Sequence, residues 1–398
     1  MKSEWKQVYL SDMCELVAGF AFKSKHFGDY SDKVIKIANI TPPTVSMNDL
    51  VGIDLSQYDH SKLERFFAHS GDYVLAMTGA TIGKIGRLEQ GGAYVNQRVL
   101  LFKNRKDKID KDFLYYALQQ YSFAQYILGH IDSESAQPNI SSNTIGKFQF
   151  ALPHMVAQKK IGRLLRIFDE KIELNRNINE NLERQAQEIF QRWLFENDGQ
   201  YTFRPLAEVA KINSDTYSPK ESWEYVNYLD TSSITDGTIS EIQHICPKTE
   251  KLPSRARRKV QKGDIVYSTV RPNQRHFGII SSPLPNMLVS TGFAVIRSKQ
   301  PQICNELIYL LITDSNFIEK MQQLAEQSTS TFPSIKPSDL GTCLIPYPIG
   351  TNGDELSTQL KTLYSFIAIN NVQNEKLAVL RDTLLPQLMS GEIDLQEG

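Results

Sequence analysis

Two stretches of this chain, residues 154–196 and 351–390, repeat one heptad pattern at a constant offset of 195 positions. In the first, Ile161, Phe168, Asn175, Leu182 and Ile189 alternate with Leu165, Ile172, Asn179, Ala186 and Trp193. In the second, Leu356, Leu363, Asn370, Leu377 and Leu384 alternate with Leu360, Ile367, Asn374, Arg381 and Leu388. Apolar residues at this spacing draw a seam along a helix, and each seam carries two asparagines at matched positions. A helix of ~40 residues rises about 1.5 Å per residue and runs on the order of 60 Å, longer than a small domain is wide. It therefore protrudes from any domain that it closes. Polar asparagines in a seam fix the register between partner helices at some cost in stability. The pattern predicts that the two helices pair with each other, antiparallel, and that Pro386 ends or bends the second near its C-terminus.

The repeat reaches upstream of both helices. Gly71-Asp72 before Tyr73-Val74-Leu75-Ala76-Met77 matches Gly263-Asp264 before Ile265-Val266-Tyr267-Ser268-Thr269, and the same shift of 192 pairs Gly86 with Gly278. Each copy reads as a turn feeding a strand, then a loop and a second strand. Asp112-Phe113-Leu114-Tyr115-Tyr116 matches Glu306-Leu307-Ile308-Tyr309-Leu310 at a shift of 194, each opening a helix with an acidic residue at the positive end of its dipole. Pro138-Asn139-Ile140 matches Pro333-Ser334-Ile335 at 195. The chain therefore reads as an α+β protein with two related α/β halves, each ending in a long helix.

Chemistry is hard to find in it. A formal net charge of -1, from 44 Lys+Arg against 45 Asp+Glu, leaves any nucleic-acid role to local patches. Cys14, Cys246, Cys304 and Cys343 lie far apart, without zinc or redox spacing, and read as free thiols. The seven histidines form no His-Glu-x-x-His pattern, so neither a metal site nor a catalytic residue is expected. Gly79-Ala80-Thr81-Ile82-Gly83-Lys84 resembles a phosphate loop but has one residue too few between its glycines and no Ser/Thr after the lysine. Ile40-Thr41-Pro42-Pro43-Thr44 lacks the amide and aromatic groups that would hold a flipped base, and reads as a turn. With no apolar leader and no apolar run of membrane-spanning length, the expectation is a cytoplasmic protein with no membrane partner.

Two similar surfaces at a fixed separation suit a long ligand with two spaced features, and duplex DNA is the obvious one. The loops after the Gly-Asp strands carry the difference between the halves. Thr78, Thr81 and Lys84 stand in the first; Arg271, Asn273, Gln274, Arg275 and His276 stand in the second. Arginine, asparagine and glutamine are the side chains that make bidentate contacts to guanine or adenine edges. Upstream, Lys251, Arg255, Arg257, Arg258, Lys259 and Lys262 form a basic run suited to phosphates. Asn96, Gln97 and Arg98, expected to begin a strand equivalent to Ser290-Thr291-Gly292, and the segment from Ser133 to Asn139, matched to Ser328 through Ser334, are further candidates.

The chain resembles the specificity subunits of type I restriction-modification systems. The resemblance is carried by Trp5-Lys6-Gln7-Val8-Tyr9-Leu10, by Gln158-Lys159-Lys160-Ile161 through Phe168-Asp169-Glu170-Lys171-Ile172-Glu173-Leu174-Asn175, and by Leu380-Arg381-Asp382-Thr383-Leu384-Leu385-Pro386-Gln387-Leu388-Met389-Ser390-Gly391-Glu392-Ile393. It departs from the family at Glu134, where a glycine is usual. The resemblance implies target-recognition domains at 1–153 and 197–350, spacer helices at 154–196 and 351–390 forming an antiparallel coiled coil, and a short tail at 391–398. Each domain would read one half of a split, asymmetric double-stranded DNA site. The helices would set the spacing and dock two methyltransferase (modification) subunits, with restriction subunits as motor and nuclease. S-adenosylmethionine, ATP and Mg would sit on those partners, none on this chain. A scaffold gripping other proteins across a coiled-coil spacer would show the same repeat. Salt-sensitive binding to one split duplex separates the two readings.

Overall fold

A computed structural model describes residues 5–132, 138–197, 199–218, 220–300, 303–328, 332–349, 352–393 and 395. The chain forms two compact units, one of residues 1–171 with 376–398, the other of residues 172–375. Each unit therefore contains sections of both long helices, Met155–Glu196 and Asn352–Met389.

The two units share one α+β topology in the strands of their two main sheets; the first sheet of the first unit also carries Thr44–Val45 and Ile40–Thr41, whereas in the second unit Ile234–Thr235 and Thr238–Ile239 form a separate hairpin. In the first, Cys14–Ala18, Val99–Asn104, Tyr73–Ala76 and Ile85–Arg87 lie side by side, and a second sheet runs Val51–Ile53, Phe27–Ile35, Gly92–Val95, Phe67–His69. In the second, the corresponding orders are Ala210–Ile212, Phe293–Ser298, Ile265–Ser268, Phe277–Ile279 and Gln243–Ile245, Val226–Leu229, Met287–Ser290, Ala256–Lys259. The single parallel pairing of each second sheet falls at the same place, Tyr94 opposite Val34 and Tyr228 opposite Leu288. The expected duplication is thus a duplication of fold.

The Gly-Asp pairs are turns that launch the central strands. Gly71 and Gly263 have φ of +80° and +88°, a region open to glycine. The aspartates that follow accept backbone N–H groups from His69 at 2.9 Å and Gln261 at 2.7 Å, closing each turn. The strands Tyr73–Ala76 and Ile265–Ser268 are buried along their whole length, as strands covered on both faces must be. The helices Lys111–Leu118 and Asn305–Ile312 carry Asp112 and Glu306 in their first turns, where the helix dipole favours negative charge.

Every position of the proposed seam is buried or half-buried, which accounts for the heptad. Within the first unit, Ile161 and Leu165 share a core with Leu388. Arg381 donates to Asp169 at 2.5 Å, and Tyr116 donates to the other oxygen of the same carboxylate at 2.5 Å. Within the second, Ala186, Phe190 and Trp193 pack with Leu356 and Leu360. Also within the second unit, Asn175 donates to Gln373 and Asn374, Asn179 to Asn371 and Asn370 to Asn179, each at 2.8 Å. Numbering rises on one helix as it falls on its partner, so the pairing is antiparallel, and the asparagines meet one another. Pro386 does not end the second helix, which continues to Met389. The proline removes one donor in the last turn, and the burial of Leu388 and Met389 holds that turn in place. No described helix is long and apolar enough to cross a membrane.

Candidate nucleic-acid interface

In both units one hydrogen-bonded frame carries the loop after the central strand. In the first unit, Ala76 N–H donates to the Lys84 carbonyl, Gly79 to Pro138, Met77 to Arg98 and Ile140 to Met77, at 2.9 to 3.1 Å. In the second, Ser268 donates to His276, Arg271 to Pro333, Thr269 to Gly292 and Ile335 to Thr269, at 2.8 to 2.9 Å. Loop, turn and returning strand are therefore brought together, as the matched segments suggested.

The frames match; the side chains they carry do not. Gly79 and Gly83 take positive φ (73° and 83°) at the two ends of the first loop. At the equivalent positions of the second loop stand Arg271 and Arg275, with φ of 47° and 58°. A residue with a Cβ loses about 1–2 kcal/mol in that left-handed region. The second loop accepts this cost twice and presents two guanidinium groups around the short turn Pro272–Gln274. The Arg271 guanidinium lies 4.8 Å from the ring centre of Phe332, which is 54% exposed. Arg275 Nε donates to Asp236 at 2.6 Å. The side chains of Asn273 and Gln274 are exposed, and the backbone N–H of Asn273 donates to Gln322 at 3.3 Å. His276 is held from below. Its Nδ1 lies 2.7 Å from the Ile234 carbonyl, which can only accept, so Nδ1 carries a proton.

The other candidates divide. Thr78 is buried at 4% exposure and bridges Asn139 through its backbone, so it supports the loop and does not display a side chain. Thr81 Oγ1 is also buried, with no partner among the described residues, whereas Lys84 is exposed. Asn96, Gln97 and Arg98 do not begin a strand. They form the tight turn between Gly92–Val95 and Val99–Asn104, closed by Val99 N–H to the Asn96 carbonyl at 2.8 Å. Asn96 spends its Oδ1 on the Gln97 N–H, which leaves Gln97 and Arg98 as the exposed pair. Gly19 packs against this turn so closely that a Cβ would lie 2.1 Å from the Asn96 carbonyl oxygen. Ser133 through Gln137, with Glu134 among them, lie outside the described residues.

The basic run is not one cationic face. Lys259 pairs with Glu221 at 2.5 Å, Arg257 Nε donates to the Ser254 carbonyl at 3.3 Å, and Arg258 is half-buried, where burial lowers its pKa. These three serve the edge strand Ala256–Lys259, leaving Lys251, Arg255 and Lys262 exposed and, among the described residues, without a carboxylate partner. Two residues of this surface escaped the sequence reading, Asp236 and Phe332. Asp236-Gly237 between Thr235 and Thr238 is a hairpin signal readable from sequence, but its contact with Arg275 is not. Burial pushes the thiol of Cys14 up to about 12 and that of Cys304 up to about 11, so neither is a nucleophile at neutral pH.

Residues 2–184 match the family model of the type I restriction modification DNA specificity domain. The shared topology supplies a second copy of that domain's fold in the other unit. Over residues 2–184 the chain carries a type I restriction-modification DNA specificity domain, and over most of its length it is similar to type I specificity subunits. The MjaIX specificity subunit of Methanocaldococcus jannaschii is 23% identical over 315 residues, covering 73% of this chain and 71% of that one. The EcoBI specificity subunit of Escherichia coli is 22% identical over 432 residues, covering 98% and 87%. The crystal structure of an S subunit from M. genitalium shares the fold, with a TM-score of 0.59 at 16% identity and 96% of each chain covered.

Proposed function

We propose that this chain is the non-catalytic DNA-reading subunit of a methylation and restriction complex, each unit reading one half of a split, asymmetric duplex site. The observation that carries this reading is the common loop frame that bears glycines in one unit and left-handed arginines in the other. Such a pair reads two different words with one grammar of backbone contacts. The exposed cations Lys251, Arg255 and Lys262 are suited to phosphates, each contact contributing about 0.9 to the salt slope.

The paired helices space the two readers and dock two methyltransferase subunits, to which restriction subunits add. Exposed apolar side chains support docking: Leu174, Phe366 and Ile369 in the second unit, Val379 and Leu380 in the first. S-adenosylmethionine, ATP and Mg belong to those partners in this reading. The test is a map of N6-methyladenine across the host genome with and without this gene. A split motif that vanishes with the gene is the expected result; identical maps would sink the proposal.

A further inference from the structure

Arg275 is gripped on two sides by the hairpin Ile234–Thr235 and Thr238–Ile239. At its tip Asp236 and Gly237 both take positive φ, 45° and 75°. Asp236 N–H donates to the Arg275 carbonyl at 2.9 Å and Gly237 N–H to the Phe277 carbonyl at 2.8 Å, while the Asp236 carboxylate accepts Arg275 Nε at 2.6 Å. Backbone and side chain of the arginine are thus both held by one residue, Asp236.

What this leaves free decides the chemistry. With Nε committed, the outer edge of the guanidinium, Nη1 and Nη2, has no acceptor among the described residues, and the Arg275 and Asp236 side chains are 42% and 49% exposed. That edge is a planar fork of parallel donors. In the major groove it matches the O6 and N7 acceptors of guanine; adenine presents a donor beside its N7 and fails the match. The carboxylate also cancels the arginine's charge and repels phosphate, so the paired group is a poor backbone contact yet keeps its directional donors.

We propose that Arg275 reads a guanine in the half-site of the second unit and that Asp236 is its positioning residue. This rests on the DNA-reading function proposed above. The test uses the chain assembled with its methyltransferase subunits, selecting bound duplexes from a randomised library with the wild type, Arg275→Gly and Asp236→Asn. Glycine suits the left-handed position and asparagine tolerates the turn, so both variants keep the fold, checked by thermal midpoint. Expected is a guanine at one position of one wild-type half-site, with preference there falling by about 5- to 150-fold in Arg275→Gly. Asp236→Asn relaxes the same position by about 10-fold and no other. The salt slope stays unchanged in both; a slope reduced by about 1 would assign Arg275 to a phosphate and overturn the proposal. A motif intact in Arg275→Gly overturns the guanine assignment alone, and a motif intact in Asp236→Asn overturns the positioning role. No motif from the wild type would overturn this proposal together with the DNA-reading function.

Discussion

Arg271 and Arg275 stand where the first unit has Gly79 and Gly83, and their backbone is left-handed at both positions. Ordinarily Gly is worse than Ala in a folded chain because it loses more freedom on folding; in the left-handed region the order reverses. Arg271→Gly should therefore be more stable than Arg271→Ala by about 1 kcal/mol, which for a unit of this size moves the thermal midpoint by about 2–4 °C. Thermal unfolding of the two variants checks it, and an alanine variant at least as stable as the glycine one would show that the loop is not left-handed there. The first loop announced its conformation through its glycines. The second gave no such sign, because an arginine held against its preference looks in sequence like any other arginine. Thr78 misled in the opposite way: a hydroxyl in a loop reads as displayed, and only the bridge to Asn139 shows it turned inward.

The long helices were legible because a heptad is a local signal, repeated often enough to survive interruptions such as Arg381. What interrupts the seam was not legible. Arg381 occupies a core position because Asp169 meets it there, the carboxylate's other oxygen accepting from Tyr116. Burial and then Asp169 raise the Tyr116 phenol well above its ordinary range, so it stays a donor to the carboxylate. Arg381→Leu strands Asp169 in the core and should cost about 3–5 kcal/mol in urea unfolding. Adding Asp169→Asn should return most of that loss, and a double variant as unstable as the single one would mean that packing, not charge, is at stake. Glu183, on the first helix within the second unit, is a different case. Burial, then the nearby carboxylates Asp236 and Glu180, raise its pKa above the ordinary 4.5. A carboxyl whose folded pKa is raised stabilises the fold below its unfolded pKa, and that contribution is lost as pH rises through the folded value. Glu183→Gln should therefore be more stable than the wild type at neutral pH, with the gap closing below about pH 4. Denaturation midpoints across pH test this, and a gap that persists in acid would mean that the carboxylate is not the cause.

At the scale of the whole molecule, the duplication was visible from spacing alone, but the sharing of both helices by both units was not. Antiparallel pairing gives each end of one helix a partner from the other, so each unit's core takes a section of both, through Ile161, Leu165 and Leu388 in one and Trp193, Leu356 and Leu360 in the other. If this seam is the spacer between two DNA readers, its length and the gap in the DNA site change together. Removing residues 172–178 and 371–377 deletes facing layers and leaves the heptad phase intact on both helices. At about 1.5 Å per residue the spacer shortens by up to ~10 Å, about three base-pair steps of 3.4 Å. The preferred gap between half-sites should shorten by no more than that, while the words on either side stay the same, since no reading loop is touched. Sequencing of duplexes selected by the assembled complex reports both quantities at once. A gap that does not move would show that something other than the helices sets the distance, and altered words would show that the loops depend on the seam for their shape.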